Sequence, residues 1–70
     1  MNITLASGFA SEIESCAAAM IDGGRNIGKL DAGMVVVRDD STEYHERAKD
    51  DGHIFYSFEQ EGVIFHVAFA

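Results

Sequence analysis

The chain has 70 residues, one cysteine, and twelve Asp and Glu against five Lys and Arg, for a formal charge of −7. That length admits one small domain, which buries only about 60% of the surface its unfolded chain exposes, and it excludes a deep cleft walled by several layers. A composition 47% hydrophobic and 24% charged argues against disorder, and the acid balance argues against direct phosphate-backbone binding, which needs a basic surface.

The stretch Asn2–Leu5 is short and partly β-branched, and reads as an edge strand or a lead-in. A helix is predicted over Ser11–Asp22. Ser11 and Glu14 have the spacing of a capping box, and Ile13, Ala17 and Met20 recur on one face beside Cys16. Gly23 and Gly24 end the helix, one of them as a left-handed residue. Arg25–Gly33 holds Asn26, Gly28 and Gly33 and reads as a loop. Met34–Val37 is continuously apolar, the pattern of a strand covered on both faces or packed against a helix, and Arg38 returns the chain to water.

Asp40–Asp51 fits two descriptions. Asp40 and Glu43 have capping-box spacing, Glu43 and Arg47 form a helical ion pair in the favourable order, and Gly52 is a stop. The same segment also alternates as a strand would, with Asp50-Asp51-Gly52 as a turn. The short helix is the favoured reading.

His53–Glu59 and Val63–Phe69 form a hairpin around Glu61-Gly62. A two-residue loop sets Gln60 opposite Val63, Phe58 opposite Phe65, Tyr56 opposite Val67 and Ile54 opposite Phe69. One face then collects Ile54, Tyr56, Phe58, Phe65, Val67 and Phe69, and the predicted helix covers it. The other collects His53, Phe55, Ser57, Glu59, Ile64, His66 and Ala68. The expected fold is α+β: one N-terminal helix on a small antiparallel sheet that ends in a C-terminal hairpin, with a short second helix.

Candidate chemistry is sparse. Cys16 lies mid-helix among apolar residues and reads as a buried small hydrophobe rather than a nucleophile. There is no Gly-x-Ser-x-Gly elbow, and the glycines of the loop lack the Gly-Lys-Ser/Thr ending of a phosphate loop. His45, His53 and His66 have no metal-ligand spacing, so no metal or cofactor is expected, and His66 reads as a packed histidine opposite Ser57. A single cysteine allows no intrachain disulfide. Met1–Ala10 has no signal-peptide pattern, and no apolar run approaches the ~20 residues of a membrane span, so the cytosol is the expected compartment.

The acid is clustered. Asp39, Asp40, Glu43, Glu46, Asp50, Asp51, Glu59 and Glu61 are offset only by Arg47 and Lys49, so this third of the chain holds nearly all of the −7. On a helix, Glu43, Glu46 and Asp50 share one face about 5–6 Å apart, a spacing close to that of backbone phosphates. Such a ridge suits a basic groove built for nucleic acid. The same acids also suit a solubilising role, flanking an aggregation-prone hairpin.

In its size, single-domain build, lack of catalytic motif and acidic block Asp39–Glu61, the chain resembles the small, acidic, phage-encoded anti-CRISPR proteins. The resemblance implies an α+β domain without cofactor or enzymatic activity. It implies a basic protein partner, a CRISPR effector in the host cytosol, whose DNA binding is blocked by charge mimicry, with no direct nucleic-acid or membrane contact. A different class is also open. The hairpin carries apolar residues on both faces, chiefly Phe55 and Ile64 on the second, and one helix covers only one of them; a structural module that homodimerises through its sheet would bury the other.

Overall fold

The structure is a computed structural model that describes residues 7–31, 33–48 and 54–69. In chain order these form α1 (Ser7–Gly23), β1 (Ile27–Lys29), β2 (Met34–Arg38), α2 (Thr42–Ala48), β3 (Ile54–Gln60) and β4 (Val63–Phe69). The strands make one antiparallel sheet in the order β1-β2-β4-β3. The fold is α+β, with α1 on one face and the short α2 on the other.

Helix α1 begins four residues ahead of the expected start, so Ser11 and Glu14 lie inside it and do not cap it. Serine costs little in a helix interior, and its capping signal yields when upstream residues continue the helix. The helix ends as expected: Gly24 takes φ +65°, its N–H bonds the Ile21 carbonyl, and the Arg25 N–H bonds the Met20 carbonyl. These two bonds satisfy carbonyls the last turn would otherwise orphan.

The expected loop Arg25–Gly33 contains β1, which pairs Ile27 with Val37 and Lys29 with Val35. Gly28 permits this. A Cβ there would stand 2.5 Å from Cys16 Sγ and 2.9 Å from Met20 Sδ, so α1 packs directly on the β1 backbone. Close approach of a helix to a strand is a use of glycine that local sequence cannot distinguish from a turn.

The main core joins Ile13, Ala17 and Met20 of α1 to Leu30, Val36, Phe65 and Val67, with Phe58 and Cys16 at its margin. On the opposite face Val35, Val37 and Ala68 form a second cluster under Ile27, Ile54 and Tyr44. Strand β2 is thus buried on both faces, one of the two arrangements its unbroken apolar run predicts. Arg38 does not return to water. It remains in β2, half-buried opposite Phe65.

The expected hairpin register holds for Gln60–Val63, Phe58–Phe65 and Tyr56–Val67. It fails at the far end. A bulge between Ile54 and Tyr56 sets Ile54 opposite Ala68 instead of Phe69 and moves it into the second core. One inserted residue reverses side-chain parity, and burial beside Val35 and Val37 stabilises the slip. The side chain of Phe55 and all of His53 lie outside the described residues, as does Asn2–Leu5.

Helix α2 starts at Thr42, two residues after the expected Asp40, and its cap is Ser41, not Asp40; residues 49–51 of the expected span lie outside the described residues. Ser41 Oγ accepts the Tyr44 N–H at 3.1 Å and donates to the Arg38 carbonyl at 2.6 Å. The buried hydroxyl thus ties the first turn of α2 to the end of β2.

Candidate functional site

Two acidic turns meet at one end of the sheet. The Asp39 N–H donates to the Ile64 carbonyl at 2.9 Å, which brings the turn after β2 against the start of β4. Glu59 lies opposite Ile64 on its other side, and Glu61 occupies the hairpin turn. Arg38, Asp39, Asp40, Gly62, Val63 and Ile64 line a shallow hollow there. Asp40, Glu59 and Glu61 are exposed, and Asp40 lies 3.5 Å from the Arg38 Nε.

Glu61 carries φ +52° beside Gly62 at +79°, the left-handed pair that a tight two-residue hairpin turn requires. A glutamate holds that conformation at a cost that asparagine largely avoids. Glu61→Asn should therefore raise stability by about 1 kcal/mol, seen as a higher urea midpoint. A fall in the midpoint would show that the Glu61 side chain makes a compensating contact.

Of the ridge expected on the second helix, the described residues hold Glu43 and Glu46. The described helix runs to Ala48, and Asp50 and Asp51 lie outside the described residues. Glu46 is exposed. Glu43 sits in the first turn, where the helix dipole favours an anion, and is half-buried. Its Oε1 is enclosed and has no hydrogen-bond partner among the described residues. Glu43 is therefore partly enclosed. What the tertiary structure gathers is Asp39, Asp40, Glu59 and Glu61, from two turns and a strand.

Asp39 has an additional attachment. Its Oδ1 lies 2.6 Å from His66 Nε2, and His66 Nδ1 lies 2.6 Å from Ser57 Oγ. The imidazole is buried and stacks on Tyr44 of α2, ring centroids 4.2 Å apart at 22°. Ser57 and His66 oppose each other across β3 and β4, as the hairpin register predicts. Asp39 joins them from 27 residues away, through a turn that periodicity does not place. His66 is a packed histidine, as expected, but packed within a Ser–His–Asp hydrogen-bonded array.

Cys16 is half-buried at the α1–β1 contact. Burial holds its thiol above the ordinary range; Arg25 partly opposes this and Glu12 adds to it. That is the setting of an unreactive thiol. Among the described residues no group of three or more His, Cys, Asp and Glu is placed to hold a metal ion, and no helix is long and apolar enough to cross a membrane.

No family model matches the chain, and comparisons with curated proteins and with solved structures return no match.

Proposed function

We propose that this protein is an acidic inhibitor that acts in the cytosol of a host cell and inhibits by binding, with no catalysed step in the inhibition itself. It binds a basic nucleic-acid-binding surface, in the manner of the anti-CRISPR proteins it resembles, and keeps DNA from the effector by charge mimicry. The observation that supports this reading is the convergence of Asp39, Asp40, Glu59 and Glu61 around Ile64. Acids on two tight turns and a strand of one sheet are held at fixed backbone positions, so the negative charge is presented without ordering a loop. Glu61 adds to this, since an acid stands where the turn would favour asparagine. Glu46 extends the charge along α2.

Complementary charge mainly sets encounter rate and partner choice, and salt screens it over about 8 Å. Two experiments follow. DNA binding by purified CRISPR effector complexes is measured with and without the protein; loss of binding supports the reading, and unchanged binding across a panel of effector types removes it. With the inhibited effector in hand, Asp40 and Glu61 are changed to Lys together. Association should slow by about tenfold at low salt, and the difference should shrink as salt rises. The control is Glu14→Lys with Asp22→Lys, an equal charge change on exposed positions of α1, across the sheet from α2. Equal slowing in both variants would mean that total charge, not the acidic end, is recognised.

A second reading, a module that homodimerises through its sheet, draws on the exposed apolar side chains. Tyr56, Ile64 and Phe69 are 38%, 47% and 50% exposed, and β3 is an edge strand of the sheet among the described residues. Ile64 lies on the face that carries Tyr44, and Tyr56 and Phe69 lie on the α1 face. Sedimentation over a concentration range decides: a concentration-dependent dimer favours this reading, and a monomer throughout removes it.

A further inference from the structure

Charge mimicry makes no use of the Ser57–His66–Asp39 array, and the array has the parts of an activated nucleophile. A hydroxyl becomes a useful nucleophile when a base takes its proton and a third group orients the base. Both links here are 2.6 Å, short for hydrogen bonds of this kind. The imidazole is buried and held flat on Tyr44, so its rotation is restricted. Ser57 is exposed, on the edge strand β3, three residues past Ile54, where the bulge begins. Bulges of this kind re-aim side chains and recur beside active sites.

The bonding pattern selects one neutral tautomer. Asp39 accepts from Nε2–H, which leaves the Nδ1 lone pair to accept the Ser57 hydroxyl proton. The two ring nitrogens are exchanged relative to the serine proteases, but each still has one partner, and the roles are the same.

We propose that Ser57 is a nucleophilic acylation site, with His66 as its base and Asp39 as the positioning residue that sets the tautomer of the base. Its reagents are activated esters that are neutral or cationic, because Asp39, Asp40 and Glu59 repel anions from this end of the sheet. In the step, Ser57 Oγ bonds to the ester carbonyl carbon while its proton passes to His66 Nδ1. The carbon–oxygen bond to the leaving alcohol breaks, and the alcohol leaves with the proton from His66. The products are acyl-Ser57, the free alcohol and neutral His66.

The probe is p-nitrophenyl acetate, with p-nitrophenolate release followed by absorbance and the acetylated position mapped by peptide mass after acid quenching. Folded wild-type protein should carry acetyl at Ser57, and protein unfolded in urea should not. Ser57→Ala should remove that adduct and slow the release. An acyl-serine that hydrolyses quickly shows instead as sustained release that Ser57→Ala lowers. Asp39→Asn replaces the acceptor with an amide that can donate to Nε2. That favours the tautomer with a proton on Nδ1, which cannot accept from Ser57, and the rate should fall by at least about tenfold with the fold retained. An ester with an anionic acyl group that cannot cyclise, p-nitrophenyl 4-sulfobenzoate, should acylate Ser57 more slowly than p-nitrophenyl benzoate, each rate taken relative to its rate with urea-unfolded protein; equal ratios would overturn the charge preference. The proposal is overturned if folded protein shows neither Ser57 adduct nor Ser57-dependent release. It is equally overturned if Ser57 reacts as fast in urea, or if a folded Asp39→Asn variant reacts like wild type. Should Asp39→Asn fail to fold, the comparison of folded with urea-unfolded wild type still decides. None of these outcomes depends on whether the acidic end binds an effector.

Discussion

Phe65→Ala is expected to leave most of the protein unfolded at room temperature. Phe65 is fully buried at the centre of the main core, between Ile13, Ala17 and Met20 of α1 and Val36 of β2. It also stacks on Phe58, ring centroids 5.4 Å apart. Truncating such a phenylalanine costs about 3–5 kcal/mol, the lost transfer energy plus the cavity left behind. A single core in a chain of this length rarely supplies more than about that amount in total. Phe58 faces the same side but lies on the edge strand and is only half-buried. Phe58→Ala should cost distinctly less and leave a cooperative transition at lower urea. Urea titration of both variants checks the ordering. A Phe65→Ala midpoint near wild type, or equal losses in the two variants, would mean that Phe65 does not anchor the main core.

His66→Ala should cost about 2–4 kcal/mol, unusually much for a histidine. The change empties the space beneath Tyr44 and removes the shared partner of Ser57 and Asp39. Its main effect falls on α2. The described seven residues are too few to persist as a helix alone, and the Ser41 cap and the packing of Tyr44 attach them to the sheet. Hydrogen exchange at the Tyr44 and His45 amides should accelerate more than exchange in β4. Ser57→Ala is the comparison. It removes one exposed hydroxyl, leaves Nδ1 open to water, and should cost about 1 kcal/mol or less. Unchanged α2 protection in His66→Ala would show that α2 is held by other contacts.

The secondary structure was legible wherever the signal is local. The unbroken apolar run of β2 marked a buried strand, and both its faces are covered. Glu61-Gly62 between two alternating segments marked the hairpin and its register near the turn. The paired glycines marked the end of α1. Each signal rests on backbone sterics or on the two-residue period of a strand, which neighbouring residues determine by themselves.

Tertiary structure decided the rest, because those choices depend on energies between distant residues. Whether Gly28 is a turn or the point where α1 touches β1 depends on Cys16 and Met20. The position of Ile54 depends on the burial available beside Val35 and Val37, and that outweighs regular pairing with Phe69. The acidic block was visible as composition. Its shape was not: Glu43 is partly enclosed at a helix start, while Asp39, Asp40, Glu59 and Glu61 converge through the bond from the Asp39 N–H to the Ile64 carbonyl. Pairing of Ser57 with His66 followed from the register, but the carboxylate that completes the array arrives from a turn 27 residues away from His66. Periodicity carries no information about contacts at that separation. They form only when burying the two faces of the sheet brings the turn after β2 against β4.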